Sequence, residues 1–242
     1  MKQTLLQLVQ DICNDLDMDE VNSIGDTVQS TQVASIVRTC YYEMIAHRNW
    51  PHTKKLFSLE SVSDITRLVH LKNPDRLKEL TYVSYAQADG TFKEVKYKSP
   101  EDFLVYVSHR KLGASNIVQV TDYSGVKLLI VNDADPTYYT SFDDKYVVFD
   151  SFDNGSGSTI VASKTTCTGF ITPEWISSDD FIPDLPDEAF PALFEEAKST
   201  SSMNLKQMVD QKAEQKSNRQ QRWLSRKAWV TNPDRKFPDY GR

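Results

Sequence analysis

Along these 242 residues the hydrophobic period changes twice, from helical to strand-like and back, and no single regular architecture accommodates both. In residues 3–16, Leu5, Leu8, Val9, Ile12, Cys13 and Leu16 recur three and four apart, which lays them on one face of a helix. An acidic stretch, Asp15 to Glu20, and the turn Ile24-Gly25-Asp26 follow. Ser30 or Thr31 is the expected cap of a second helix, whose stripe is Val33, Ile36, Val37, Cys40, Met44 and Ile45. Trp50-Pro51 stops it, because a residue before proline is driven out of the helical region. Two such helices on a short connection are expected to pack antiparallel.

From Lys54 to about Thr172 apolar residues alternate in short runs. Leu80–Ala86 and Thr91–Lys98 flank Asp89-Gly90, a hairpin signal, and Ile117–Thr121 and Val126–Val131 flank Asp122-Tyr123-Ser124-Gly125. Tyr146–Phe149 and Thr159–Ala162 read as further strands around the Asn154–Ser158 loop. One helix interrupts them: Ser99 caps it, Pro100 takes its first position, and Glu101 and Asp102 complement its dipole. Prolines 173, 183, 186 and 191 punctuate an acidic return, after which Ala189, Phe190, Leu193, Phe194 and Ala197 resume a helical stripe. That helix is expected to reach about Trp229, although beyond Val209 its apolar residues nearly vanish until Trp223-Leu224. A helix without an apolar stripe has no core of its own to face. The expected fold is therefore α+β. An N-terminal helix pair and a long C-terminal helix (1–53 and 185–215) pack together, with an inserted antiparallel β-rich domain and its linker (54–184). An extended basic arm (216–242) completes the chain.

Composition closes several functional classes. With 39% apolar and 26% charged residues the chain has ordinary globular usage. It has no apolar run of about eighteen residues, and its N-terminus lacks the apolar core of a signal peptide, so no membrane partner is expected and synthesis is placed in a cytoplasm. Cys13, Cys40 and Cys167 are odd in number and far apart, which predicts buried thiols rather than disulfides or a metal clip. His47, His52, His70 and His109 form no metal-binding pair and read as surface or satisfied histidines; no phosphate-cradling or nucleophile-elbow motif occurs. Asp133, Asp135, Asp143, Asp144, Asp150 and Asp153 could in principle serve a cation or a hydrolase, but turn chemistry accounts for Asp-Pro and Asp-Asp-Lys. No cofactor, no metal and no enzymatic activity is expected.

What remains is charge. From Lys198 to Arg242, eleven Lys/Arg face four Asp/Glu, a surplus of seven; as the whole chain carries −6, the first 197 residues carry −13. Trp223 and Trp229 lie in this basic stretch, and exposed tryptophans are costly unless they fill a pocket on a partner. Arg222, Arg226 and Arg242 would pair with acidic rims, and Phe237 and Tyr240 would anchor the tail. An alternative use of the same residues is phosphate binding by a DNA-associated factor, which the acidic body disfavours.

The order of elements carries a resemblance: a helix pair ending at Arg48-Asn49-Trp50-Pro51, a β-rich middle with Asp135-Pro136-Thr137-Tyr138-Tyr139-Thr140-Ser141-Phe142-Asp143-Asp144, a proline-rich return, a long helix, and a Pro238-Asp239-Tyr240-Gly241-Arg242 tail. This layout resembles the head-to-tail adaptor (head completion, or tail tubular protein A-like) proteins of short-tailed bacteriophages. The resemblance implies a structural virion protein at the head–tail junction. It would form a homo-oligomeric ring of twelve copies that binds the portal protein, offers a platform to the tail nozzle and extends the channel for genomic DNA. It also implies that Arg222, Trp223, Arg226, Trp229, Phe237, Tyr240 and Arg242 contact the portal, and that the acidic body lines a channel past which DNA slides without sequence-specific binding.

Overall fold

The computed structural model of the chain describes residues 2–62, 64, 67–87, 89–153 and 158–226, with the side chains of 158–160 and 225–226 left aside. It is α+β, 38% helix and 24% strand. Two compact units divide it: one formed by the residues up to Thr53 together with those from Pro173 onward, the other by Lys54–Thr172.

In the helical unit, α1 (Leu5–Asp15) begins with a reciprocal cap, since Gln7 N–H donates to Thr4 Oγ1 and Thr4 N–H to Gln7 Oε1. Leu5, Leu8, Val9, Ile12 and Cys13 are buried, as the spacing requires. Helix α2 (Val28–His47) starts earlier than expected, with Thr27 as its cap. Ser30 sits in the first turn, fully buried, as the other half of a capping box: Thr27 N–H donates to its Oγ, and its own N–H to Thr27 Oγ1. After α2 the chain turns through Trp50, whose indole is buried and donates to the Met44 carbonyl at 2.9 Å, and Pro51–Thr53 form a single 3-10 turn.

The proline-rich return does not go with the β-rich part, as the boundary at 184 supposed; it closes the helical unit from Pro173. The reason is backbone chemistry. The first amides of a helix lack intrahelical acceptors, and here Leu5 N–H donates to the Phe181 carbonyl at 2.7 Å and Leu6 N–H to that of Asp179 at 3.2 Å. Asp179 Oδ1 also accepts from Ile24 N–H, and Trp175 packs against Tyr41 and Phe181. A 3-10 turn (Asp187–Ala189) then leads into α5 (Phe190–Lys206), which buries Phe190, Ala192, Leu193 and Ala197 in the same core as α1 and α2. Gln207 ends α5 in the left-handed region, φ 55°, and Asp210 Oδ1 accepts from the N–H groups of Lys212 and Ala213 to start α6 (Gln211–Arg226).

In the β-rich unit, one antiparallel sheet has the order β1 (Lys54–Phe57), β11 (Thr165–Ile171), β4 (Leu77–Ala86), β5 (Phe92–Glu94). A second has the order β2 (Glu60–Ser61), β3 (His70–Lys72), β10 (Tyr146–Phe149), β9 (Tyr138–Thr140), β6 (Lys96–Tyr97). Strands β7 (Ile117–Thr121) and β8 (Lys127–Val131) form a hairpin. The expected strand 91–98 divides between the two sheets: buried Val95 bonds back to the Val83 carbonyl, and β6 then pairs parallel to β9, an exception to the antiparallel pattern. Gly169 marks a bulge in β11, where an added Cβ would stand 2.5 Å from the Glu79 carbonyl oxygen. Helix α3 (Pro100–Ser108) has the expected Ser99 cap and buries Phe103 and Val107. Residues 159–162, read as a strand from their β-branched side chains, lie instead in α4 (Ser158–Ser163). Its end is held by Thr165 Oγ1–H on the Ala162 carbonyl, and Val161 and Ala162 enter the core, a packing gain that overrides weak strand propensity.

Candidate functional site

Helix α6 is where charge, shape and an exposed aromatic group coincide. One of its faces is spent on its own unit: Ala213, Ser217 and Leu224 are buried, at four- and seven-residue spacing, and Leu224 joins the core of α1, α2 and α5. Ala213 and Ser217 are small, so α6 lies close along α5 without an apolar stripe. The acids of α5 then hold it: Lys216 Nζ meets Glu195 Oε1 at 2.7 Å, the Ser217 hydroxyl donates to Glu196 Oε2, and Gln221 Nε2 donates to the Ser217 hydroxyl oxygen at 3.3 Å. The extended arm expected from residue 216 is thus, as far as Arg226, a helix docked on its own fold. The physical reason is that small side chains and charged hydrogen bonds replace the apolar contact the sequence reading required.

The opposite face is solvent-exposed and basic. Within α6 there are five Lys/Arg and one Glu, and Gln215, Asn218, Arg219, Arg222 and Trp223 line one open depression. Trp223 is 49% exposed and borders a second depression shared with Glu188, Pro191, Arg219 and Gln220. The indole therefore stands as a ridge between two hollows, with guanidinium groups on its flank. Such a face can take up carboxylates or phosphates through bidentate pairing and can seat Trp223 in a partner's pocket.

Of the residues singled out from sequence, Arg222 and Trp223 are brought together here. Arg226 is the last residue of α6, and its side chain is not described. Trp229, Phe237, Tyr240 and Arg242 lie outside the described residues. Sequence reasoning missed Arg219, Asn218 and Gln215; their signal is position, four, five and eight residues before Trp223 on one helical face.

The other chemical candidates have structural work. Asp150 is buried, accepts from the N–H groups of Thr137 and Tyr138 at 2.9 Å each, and faces Arg110 at 3.3 Å. Asp143 Oδ1 accepts from Lys145 and Tyr146 N–H at 3.0 Å, the turn role expected of it. All three cysteines are buried; burial pushes the Cys40 thiol up to about 11 and that of Cys167 to about 12. Among the described residues no group of three His, Cys, Asp or Glu is placed to hold a metal ion, and no helix is long and apolar enough to cross a membrane. No protein-family model and no curated protein sequence matches this chain.

Proposed function

We propose that this chain is a non-enzymatic structural protein of a short-tailed phage virion, a ring-forming adaptor that joins the portal to the tail and extends the DNA channel. The observation that carries the reading is the outer face of α6, where Arg219, Arg222 and half-exposed Trp223 are presented on a helix whose inner face is fixed to its own core. A rigid helix that shows a tryptophan between arginines is pre-organised for docking, because little side-chain and backbone freedom is lost when a partner closes on it. The acidic remainder of the chain supports the channel role, since like charge keeps DNA from adhering to a wall it must slide past. A second reading, a DNA-associated factor, is favoured by Arg219 and Arg222 on the outer face of α6 and by the interleaved Gln and Asn side chains.

One experiment separates them. Full-length protein is titrated with the portal of its own virus and, in parallel, with duplex DNA, and complexes are read by native mass spectrometry. The expected result is a portal complex that Trp223→Ala weakens by about thirtyfold, the effect of a hot-spot aromatic worth ~2 kcal/mol. Portal binding that Trp223→Ala and Arg222→Glu leave unchanged would remove this reading. DNA binding that collapses with rising salt, with no portal complex, would put the second in its place.

A further inference from the structure

The β-rich unit has a feature that docking through α6 does not use: a pocket of about 240 Å³ between α3, the β7–β8 hairpin and the β9–β10 turn. Leu104, Val126, Leu128 and Phe142 give it an apolar lining, and Leu104, Val126 and Phe142 are 40%, 54% and 37% exposed. Tyr123 and Tyr146, which also line it, stack at 4.3 Å with 21° between their rings. The Arg67 guanidinium lies 4.1 Å from the Tyr123 ring centre and stiffens that wall. Two carboxylates complete the site. Asp122 is fixed by His70 and Ser124, and Asp143 by the Lys145 and Tyr146 amides, so both are aimed before anything binds. Among the described residues neither pairs with a Lys or Arg side chain.

The volume falls below the ~300–1,000 Å³ of a small-molecule site and suits one inserted side chain. An apolar slot edged by two uncompensated carboxylates selects an aromatic group with cations beside it. Residues 235–242 carry that pattern, Arg235-Lys236-Phe237-Pro238-Asp239-Tyr240-Gly241-Arg242. Phe237 lies eleven residues beyond Arg226, a span of up to about 40 Å when extended. Phe237 suits the site better than Tyr240, because two cations, Arg235 and Lys236, directly precede it, whereas an acid, Asp239, precedes Tyr240 beside the two carboxylates.

We propose that this pocket receives Phe237 from a second copy of the chain, with Arg235 and Lys236 meeting Asp143 and Asp122. The contact is heterologous, tail of one copy into β-rich unit of the next, and repeats around a closed ring if the rotation closes. It moves Phe237 from the portal contact that the adaptor resemblance implies to a contact between copies, and leaves the portal reading to the outer face of α6.

The test uses the full chain with p-benzoylphenylalanine at position 237, in a mixture of ¹⁴N- and ¹⁵N-labelled copies, irradiated and mapped by mass spectrometry. Crosslinks joining light to heavy copies, at residues 122–128 and 142–148, are expected. Val126→Trp fills the pocket from an exposed position and should lower their yield about tenfold. Asp143→Asn keeps the acceptor for the Lys145 and Tyr146 amides while removing the charge, and should lower it about threefold. Crosslinks confined to one isotopic species, crosslinks elsewhere on the chain, no crosslinks, or yields unchanged in both variants would each overturn the proposal. No portal is present, so failure here is distinct from failure of the adaptor reading.

Discussion

His70 is fully buried where β3 meets the β7–β8 hairpin; its Nε2 faces Asp122 Oδ1 at 2.9 Å, and among the described residues its Nδ1 has no hydrogen-bond partner. Burial lowers its pKa from the ordinary 6.5, with the hydrogen bond and charge of Asp122 pulling it part of the way back. Burial alone would raise Asp122, but Ser124 and His70 hold its carboxyl below its ordinary 3.8. The two groups act in different pH windows. Unfolded, His70 takes up a proton as pH falls through about 6.5, whereas the folded ring resists it. Its stabilising contribution is thus whole above that value and is lost as pH drops below it. That of Asp122 is present above the carboxylate range and is lost only when acid reaches it. Urea unfolding between pH 7.5 and pH 5 should therefore show wild type losing stability faster than His70→Gln, by up to about 1.4 kcal/mol per pH unit. Parallel pH profiles for the two proteins would show that His70 does not carry this linkage. At the same scale, the candidate site was half legible. Arg222 and Trp223 announce themselves by charge and by the cost of an exposed indole, but Arg219 and Gln215 acquire meaning when the register of α6 is known.

Among the elements, α6 shows how a helix docks without an apolar stripe. Ala213 and Ser217 face α5, and the close approach lets Glu195 and Glu196 reach Lys216 and Ser217. Ser217→Leu adds bulk where backbones are near and removes the Glu196 bond. It should cost about 1–3 kcal/mol, read as a lower unfolding midpoint by tryptophan fluorescence. A neutral outcome would mean that the close approach at 217 and the Glu196 bond do not hold α6, and that Ala213, Leu224 and the Lys216–Glu195 pair suffice. The same contact explains why periodicity failed here while it served elsewhere. Helices α1 and α2 repeat apolar residues at three and four, and the two glycine-turned hairpins carry φ of +81° at Gly90 and +84° at Gly125, so local chemistry dictates them. Strand β11, Thr165-Thr166-Cys167-Thr168-Gly169-Phe170-Ile171, holds the middle of its sheet but has no alternation to read, because Thr165 and Cys167 are buried while Gly169 serves the bulge. Nor can composition reveal that residues 173–186 supply acceptors to the first turn of α1; that follows from backbone amides meeting across the unit.

At the scale of the whole molecule, two hydrophobic cores that share no residue are built on one chain. The helical core gathers α1, α2 and α5 with Trp50 and Leu224; the other gathers Val83, Tyr85, Phe103, Phe149 and Cys167 from the β-rich unit. The chain enters and leaves the β-rich unit near residues 53 and 173. The sequence happens to supply a reporter, because Trp50, Trp175 and Trp223 lie in the helical unit and no tryptophan falls between 54 and 172. Leu193→Ala removes a fully buried side chain from the helical core and should lower its stability by about 2–5 kcal/mol, moving the tryptophan transition to lower urea. Phe149→Ala should cost the β-rich unit about 3–5 kcal/mol, seen as faster amide exchange in β4, β10 and β11, while the tryptophan midpoint stays where it was. Combined, the two effects should add within about 0.5 kcal/mol, as substitutions without common partners do. Were Phe149→Ala to drag the tryptophan transition with it, the two cores would be unfolding as one cooperative body. The β-rich unit could then not present its pocket independently of the helices that carry the basic face.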